Sequence, residues 1–169
     1  MASDYIHKEA RRLVRWAGTR NPFQIADELG IHVIYDNDFK ALKGMYKVIL
    51  QSRFIFINGN ISERDQRTVC AHELGHDRFH RQLARSSALQ EFMLYDMLSK
   101  PEYEANIFAS ELLIDDNDIL SLVKSECDIY QIAGELGEDM NLVLIKIDEL
   151  RKQGHDLSVP YRPRGDFLG

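Results

Sequence analysis

Only two cysteines occur in the chain, Cys70 and Cys127, far apart and in no paired spacing. That excludes a disulfide framework and a thiolate metal ribbon, and leaves both as small buried hydrophobes of a reducing compartment. No window approaches the eighteen uninterrupted apolar residues of a membrane-spanning helix, so none is expected. The start, "MASDYIHKEARRLVRW", mixes acids among its bases and lacks an apolar h-region, which argues against a secretory signal; the protein reads as cytoplasmic. Positive charge is also scarce. Lys and Arg number 21 against 27 Asp and Glu, a net charge of −6, which disfavours nucleic acid as a partner because phosphate contacts need a basic surplus. No internal repeat or low-complexity tract is present. What remains is ordinary globular material: 169 residues, 44% apolar and 28% charged, enough for one compact domain with a small appendage.

Residues 4–18 have helical periodicity, with Ile6, Leu13 and Trp16 expected inward, and Lys8, Arg11, Arg12 and Arg15 on a solvated face. "NPFQIADELG" (21–30) predicts a second helix, with Asn21 as N-cap, Pro22 at the first position and Gly30 past the end. The period then changes. "IHVIYD" (31–36), "GMYKVILQ" (44–51) and "RFIFIN" (53–58) are β-branched and aromatic, and Gln51-Ser52 is short enough for a hairpin turn. A small, mostly antiparallel three-stranded sheet follows from this. Ser62 with Asp65 opens a helix running through residue 76, and Ser99 with Pro101 and Glu102 opens another over 101–113. Residues 84–98 are apolar and read as part helix. Beyond "DDND" (115–118), three short helices are expected over 119–153, broken at 125–128 and Gly137, before an extended tail.

The segment "CAHELGH" (70–76) carries the chemistry. On a helix, His72 and His76 differ by about 40° in direction and about 6 Å in rise, so both imidazoles can reach one ion. Glu73 lies about 100° round from His72, beside such an ion and not among its ligands. That is the position of a general base acting on a water whose pKa a zinc ion has lowered. Chance supplies H-E-x-x-H in a chain of this composition about 0.015 times. The bland alternative is a helix with two surface histidines.

A third ligand must come from elsewhere. His80 is about 12 Å along the helix from His72, too far to share an ion. Phe79 and Gln82 stand where a metzincin would have glycine and histidine. A carboxylate from the helix over 101–113 is the better source, with Glu102, Glu104 and Glu111 as candidates. Spacing favours Glu104: Glu102 has a capping role, and Glu104 adjoins the small Ala105, which allows close helix approach.

"RTVCAHELGHDRFH" (67–80) and "EYEANIFASELLI" (102–114) together resemble the ImmA/IrrE family of zinc metallopeptidases, which shows an E-A-N-x-F-A-x-x-L-L segment about thirty residues after its H-E-x-x-H. The resemblance extends more weakly to "IADELGIHVIYD" and the sheet, covering most of 20–115. It implies Zn2+ held by His72, His76 and Glu104, with Glu73 as the general base. It also implies cleavage of a helix-turn-helix repressor of a phage, a mobile element or a stress response. Where the family usually has Met-Pro after L-L, Ile114-Asp115 stands here, so the end of that helix is open.

The expected architecture is thus α+β and zincin-like: a metallopeptidase domain over 1–115, a helical subdomain over 116–155 packed on it, and an extended tail over 156–169. A substrate strand would pair with an exposed sheet edge. "IAGELGEDMNLV" (132–143) has helix-turn-helix spacing, but the surrounding residues are acidic, favouring packing or protein docking over DNA. His80 reads as a surface histidine or a group behind the ligands, Asp77 as a ligand-orienting or a solvated acid, and Tyr95 and Tyr103 as core residues or oxyanion donors. His7, His32 and His155 are read as structural. The competing function is a non-catalytic zinc-containing regulator that binds a repressor or DNA. A protease held latent until a partner opens it is a third.

Overall fold

The computed structural model describes residues 2–91 and 97–160, and its contacts divide the chain into two compact units, Met1–Leu113 and Ile114–Gly169. In the first, α1 (Asp4–Ala17) buries Ile6, His7, Ala10 and Leu13 and ends at Gly18, whose φ of 67° suits a residue without Cβ. Trp16, expected inward, is 51% exposed: the buried stripe of α1 ends at Leu13. In α2 (Pro22–Glu28), Asn21 Oδ1 accepts from the Phe23 and Gln24 amides at 3.0 and 3.4 Å, as its N-cap position requires.

The sheet corrects the sequence expectation. It is four-stranded and mixed, with order β1-β3-β2-β4, built from β1 (His32–Asp36), β2 (Gly44–Ile49), β3 (Ser52–Asn58) and β4 (Leu89–Glu91). β1 runs parallel to β3, whereas β2 is antiparallel to both β3 and β4. Apolar alternation specifies which face a strand buries, not which neighbour it takes. Here residues 37–43 cross the end of β3 and set β1 on its far side. Asn58 and Asn60 hold that crossing through Asn58 Nδ2 to Leu42 O at 2.9 Å and Asn60 Nδ2 to Asn37 O at 2.7 Å. The β2–β3 turn is at Leu50 and Gln51, both with positive φ (48° and 69°), one position before the expected one.

Tyr46, Ile55 and Ile57 turn to the buried side of the sheet, and Val69, Cys70 and Leu74 of α3 (Glu63–Phe79) are also fully buried. Ser62 Oγ caps α3 by accepting from Asp65 N at 3.2 Å. After α4 (Arg81–Ser86), α5 (Lys100–Leu113) packs between α3 and α1. The helix expected within 84–98 is therefore the end of α4 followed by β4, and 92–96 lie outside the described residues.

The second unit contains α6 (Asp116–Lys124), α7 (Ile129–Leu136) and α8 (Met140–Lys152), around Ile119, Ile129, Ile132, Leu142, Val143, Ile147 and Leu150. Asp115 caps α6 through the Asn117 amide, so α5 stops at Leu113 and the next helix starts at once. Asp128 and Gln131 form a reciprocal capping box on α7. Lys146 is fully buried and paired to Asp116 Oδ1 at 2.5 Å. Of the tail, residues 161–169 lie outside the described residues. No helix among the described residues is long and apolar enough to cross a membrane.

Candidate metal centre

Two consecutive turns of α3 bring His72 and His76 together, their ring centroids 4.8 Å apart and their Nε2 atoms 3.1 Å apart. Glu102, in the first turn of α5, places Oε2 3.0 Å from His72 Nε2 and Oε1 3.4 Å from His76 Nε2. Among the described residues these three form a group whose donor atoms all lie within 4.8 Å of one another. Ligands on a tetrahedral ion with bonds of about 2.0–2.1 Å are separated by about 3.3 Å. The three contacts match that spacing, and the imidazole and carboxylate donors match the chemistry of zinc. Both histidines are buried.

The other ring nitrogens are committed. His72 Nδ1–H donates to Asn106 Oδ1 at 3.0 Å, leaving its Nε2 lone pair facing the group. His76 Nδ1 lies 2.9 Å from His80 Nδ1. Burial pulls the His76 pKa down to about 4, outweighing the opposing effect of Glu102. Burial would raise the Glu102 carboxyl, but the contacts with His72 and His76 hold it well below the usual carboxylate range. Both shifts preserve the forms that bind metal.

Glu73 is fully buried on the same helix. A Cβ on Gly44 of β2 would come within 3.0 Å of its Oε1 and 2.3 Å of Val69 Cγ1. The missing side chain at 44 is thus what lets β2 lie against the Glu73 carboxylate.

Glu104 does not join the histidine pair. Its Oε2 contacts His80 Nε2 at 2.8 Å, its Oε1 accepts from the Tyr5 hydroxyl, and Lys100 Nζ lies 3.5 Å away. Residues two apart on a helix point about 200° away from each other, so while Glu102 turns to His72 and His76, Glu104 turns to His80 at the C-terminal end of α3 and to Tyr5 of α1. The cue was Ala105. A Cβ on Gly75 would meet Ala105 Cα at 3.0 Å and Phe108 Cβ at 3.3 Å, so residue 105 faces Gly75 of α3, with 102 and 104 diverging to either side of it. The capping role of Glu102 uses its backbone N–H, which donates to Ser99 Oγ at 3.4 Å, and its side chain remains available.

The other candidates disperse. Glu111 lies with His7 Nδ1 at 3.2 Å. Asp77 is buried but accepts from Tyr46 OH at 2.7 Å and Arg53 Nη1 at 3.0 Å, tying α3 to β2 and β3 and not to His76. His80 is buried, not on the surface. His32 stacks on Phe54. Tyr103 is partly exposed, and Tyr95 lies outside the described residues. Asn106, one helical turn after Glu102, is the site residue that sequence reasoning missed, although an acid and an amide four apart on one helix face was a legible pattern.

A family model described as the IrrE N-terminal-like domain, Peptidase M78, matches residues 26–148. The "Uncharacterized immunity region protein 2" of Bacillus phage phi105 is 33% identical over 147 residues, 86% of this chain and 92% of that one. "Metallopeptidase ImmA" of Bacillus subtilis (strain 168) is 31% identical over 114 residues, 66% of this chain and 64% of that one. In fold, a Mycobacterium tuberculosis transcriptional regulator superposes with a TM-score of 0.60 at 17% identity, over 95% of this chain and 49% of that one, so the chain spans about half its length. The family model and the phage relative each cover most of the chain, and they agree with the H-E-x-x-H helix set beside α5: the chain belongs to the ImmA/IrrE family, Peptidase M78.

Proposed function

We propose that this protein is a zinc-dependent endopeptidase with a zincin-like site, in which His72, His76 and Glu102 hold the ion and Glu73 is the general base. Glu102 replaces Glu104 in the ligand set expected from the sequence. The observation that carries this reading is the three-donor group itself. A structural zinc site needs four protein ligands, whereas three with an adjacent buried glutamate leave a coordination position for chemistry. When bound, zinc supplies Lewis acidity and lowers the pKa of a water to about 7. Glu73 would accept the proton of a water at its carboxylate as the water oxygen bonds to the peptide carbonyl carbon, and would return that proton to the amine nitrogen as the C–N bond breaks. His76 is kept neutral by burial, and Asn106 fixes the His72 ring. Gly44, against Glu73, pairs with Glu91 of β4, so the outer edge of β4 is the sheet edge nearest the base and the place for an extended substrate strand.

The substrate we infer is a helix-turn-helix repressor of a phage or mobile element, acting in the cytoplasm. The similarity to a phage immunity region protein and to metallopeptidase ImmA supports this. The test is co-expression with a helix-turn-helix repressor, starting with any such protein encoded next to the gene. A discrete cut is expected, abolished by a chelator and reduced about 10²–10⁴-fold by Glu73→Gln with zinc still bound. Glu102→Ala should release zinc where Glu104→Ala retains most of it. Undiminished cleavage by E73Q, or zinc held normally by E102A, removes the mechanism.

A further inference from the structure

We propose that His80, Glu104 and Tyr5 form a positioning relay that orients His76 and raises its basicity toward the metal; the proposal rests on the metal-site reading above. The proton positions follow from the distances. With His76 Nε2 turned to the ion, its proton sits on Nδ1, and the facing atom is His80 Nδ1 at 2.9 Å. Two nitrogens at that distance need one donor and one acceptor, so His80 Nδ1 accepts and the His80 proton sits on Nε2. That N–H donates to Glu104 Oε2 at 2.8 Å. The Tyr5 hydroxyl donates to the other oxygen, Oε1. Each proton on the path therefore has a single place, and the path ends on a carboxylate.

The two histidine ligands are thus supported differently. His72 leans on the neutral amide of Asn106, while His76 leans through a second imidazole on an anion. Both His80 and Glu104 are only 7% exposed, so water does not compete strongly for these contacts. Tyr5 comes from α1 and packs its ring edge-on against Phe79 with centroids 5.4 Å apart, which ties the N-terminal helix to the orientation of a metal ligand. A hydrogen-bonded carboxylate behind a ligating imidazole makes it a stronger donor and fixes its ring, and loss of such support costs about 10–100-fold in metal affinity.

The experiment measures zinc affinity of the full chain by competition with a chromogenic chelator, and the visible absorption of the Co2+-substituted protein. His80→Leu removes the acceptor and should weaken zinc binding about 10–100-fold. His80→Asn keeps an acceptor at the Nδ1 position but severs the path to Glu104, and should recover part of that loss. Glu104→Gln should weaken binding several-fold and shift the cobalt bands in the wild-type background, yet do neither in the H80N background. A purely structural cluster would show the same E104Q effect in both. That equality, or H80L and E104Q proteins with wild-type affinity and cobalt bands, overturns the relay. If H80L does not fold, the cycle between E104Q and H80N decides alone. A wild-type chain that binds neither metal overturns the metal site itself, and the relay with it.

Discussion

Burial draws the His76 imidazole down to a pKa of about 4, while an unfolded chain takes the same proton near pH 6.5. Between these values unfolding binds a proton, so stability falls as the pH drops through that window, by up to about 3 kcal/mol for this group. The metal-free protein should therefore show a urea midpoint that falls from pH 7 to pH 4.5, and a His76→Gln variant should lose that part of the fall. Equal slopes in the two proteins would contradict the assignment. Glu102 contributes in a separate window: with its carboxyl held low, its share is lost only below its unfolded value near 4.3, outside this measurement. At this scale the grouping of His72, Glu73 and His76 was legible because their spacing lies within one helix. The acid that stands beside the two histidines was not, because whether Glu102 or Glu104 turns toward them depends on how α5 is rotated against α3.

Among the elements, the approach of α3 to α5 is set by Gly75 over Ala105, where an added Cβ would sit 3.0 Å from backbone. Neither partner can yield by rotating a side chain. Gly75→Ala gains about 1 kcal/mol of helix propensity, but it should still destabilise the protein by about 1–3 kcal/mol by overpacking. By separating Glu102 from the histidines, it should also weaken zinc binding. Thermal melting and chelator competition check the two effects. The β2–β3 turn offers a change of opposite sign. Leu50 is 95% exposed, and both it and Gln51 have positive φ, the backbone of a type I′ turn that favours Asn-Gly. The double substitution Leu50→Asn, Gln51→Gly should raise the urea midpoint, worth about 1 kcal/mol, without touching the site. A lowered midpoint would show that the turn has another conformation. Caps and stops were read well at this level: Asn21, Ser62, Gly18 and Gly137 act over a few residues, so their physics is complete in the local chain. β4 was missed because three residues are too few to show an alternating pattern.

Across the whole molecule the charge is unevenly placed. Residues 114–160 carry eleven acids against four bases, a net of −7, whereas residues 2–113 carry fifteen of each. The helix-turn-helix spacing of α7 and α8 therefore sits on an acidic unit that phosphate would avoid. No mobility shift of duplex DNA is expected from the full chain at micromolar protein and about 0.15 M salt. A shift with a steep salt dependence would reverse that reading.

The order of α1 to α3, of β1 to β3 and of α5 to α8, the caps at Asn21 and Ser62, and the pairing of His72 with His76 beside Glu73 were determined by the amino-acid sequence alone. Each depends on periodicity or on hydrogen bonds spanning at most one helical turn, and such interactions are complete before the chain meets itself. Tertiary structure decided the rest: which side of β3 receives β1, which acid of α5 completes the donor group, and that His80 is buried behind His76. Those outcomes depend on which faces of distant segments pack together, and no spacing within one segment encodes that choice.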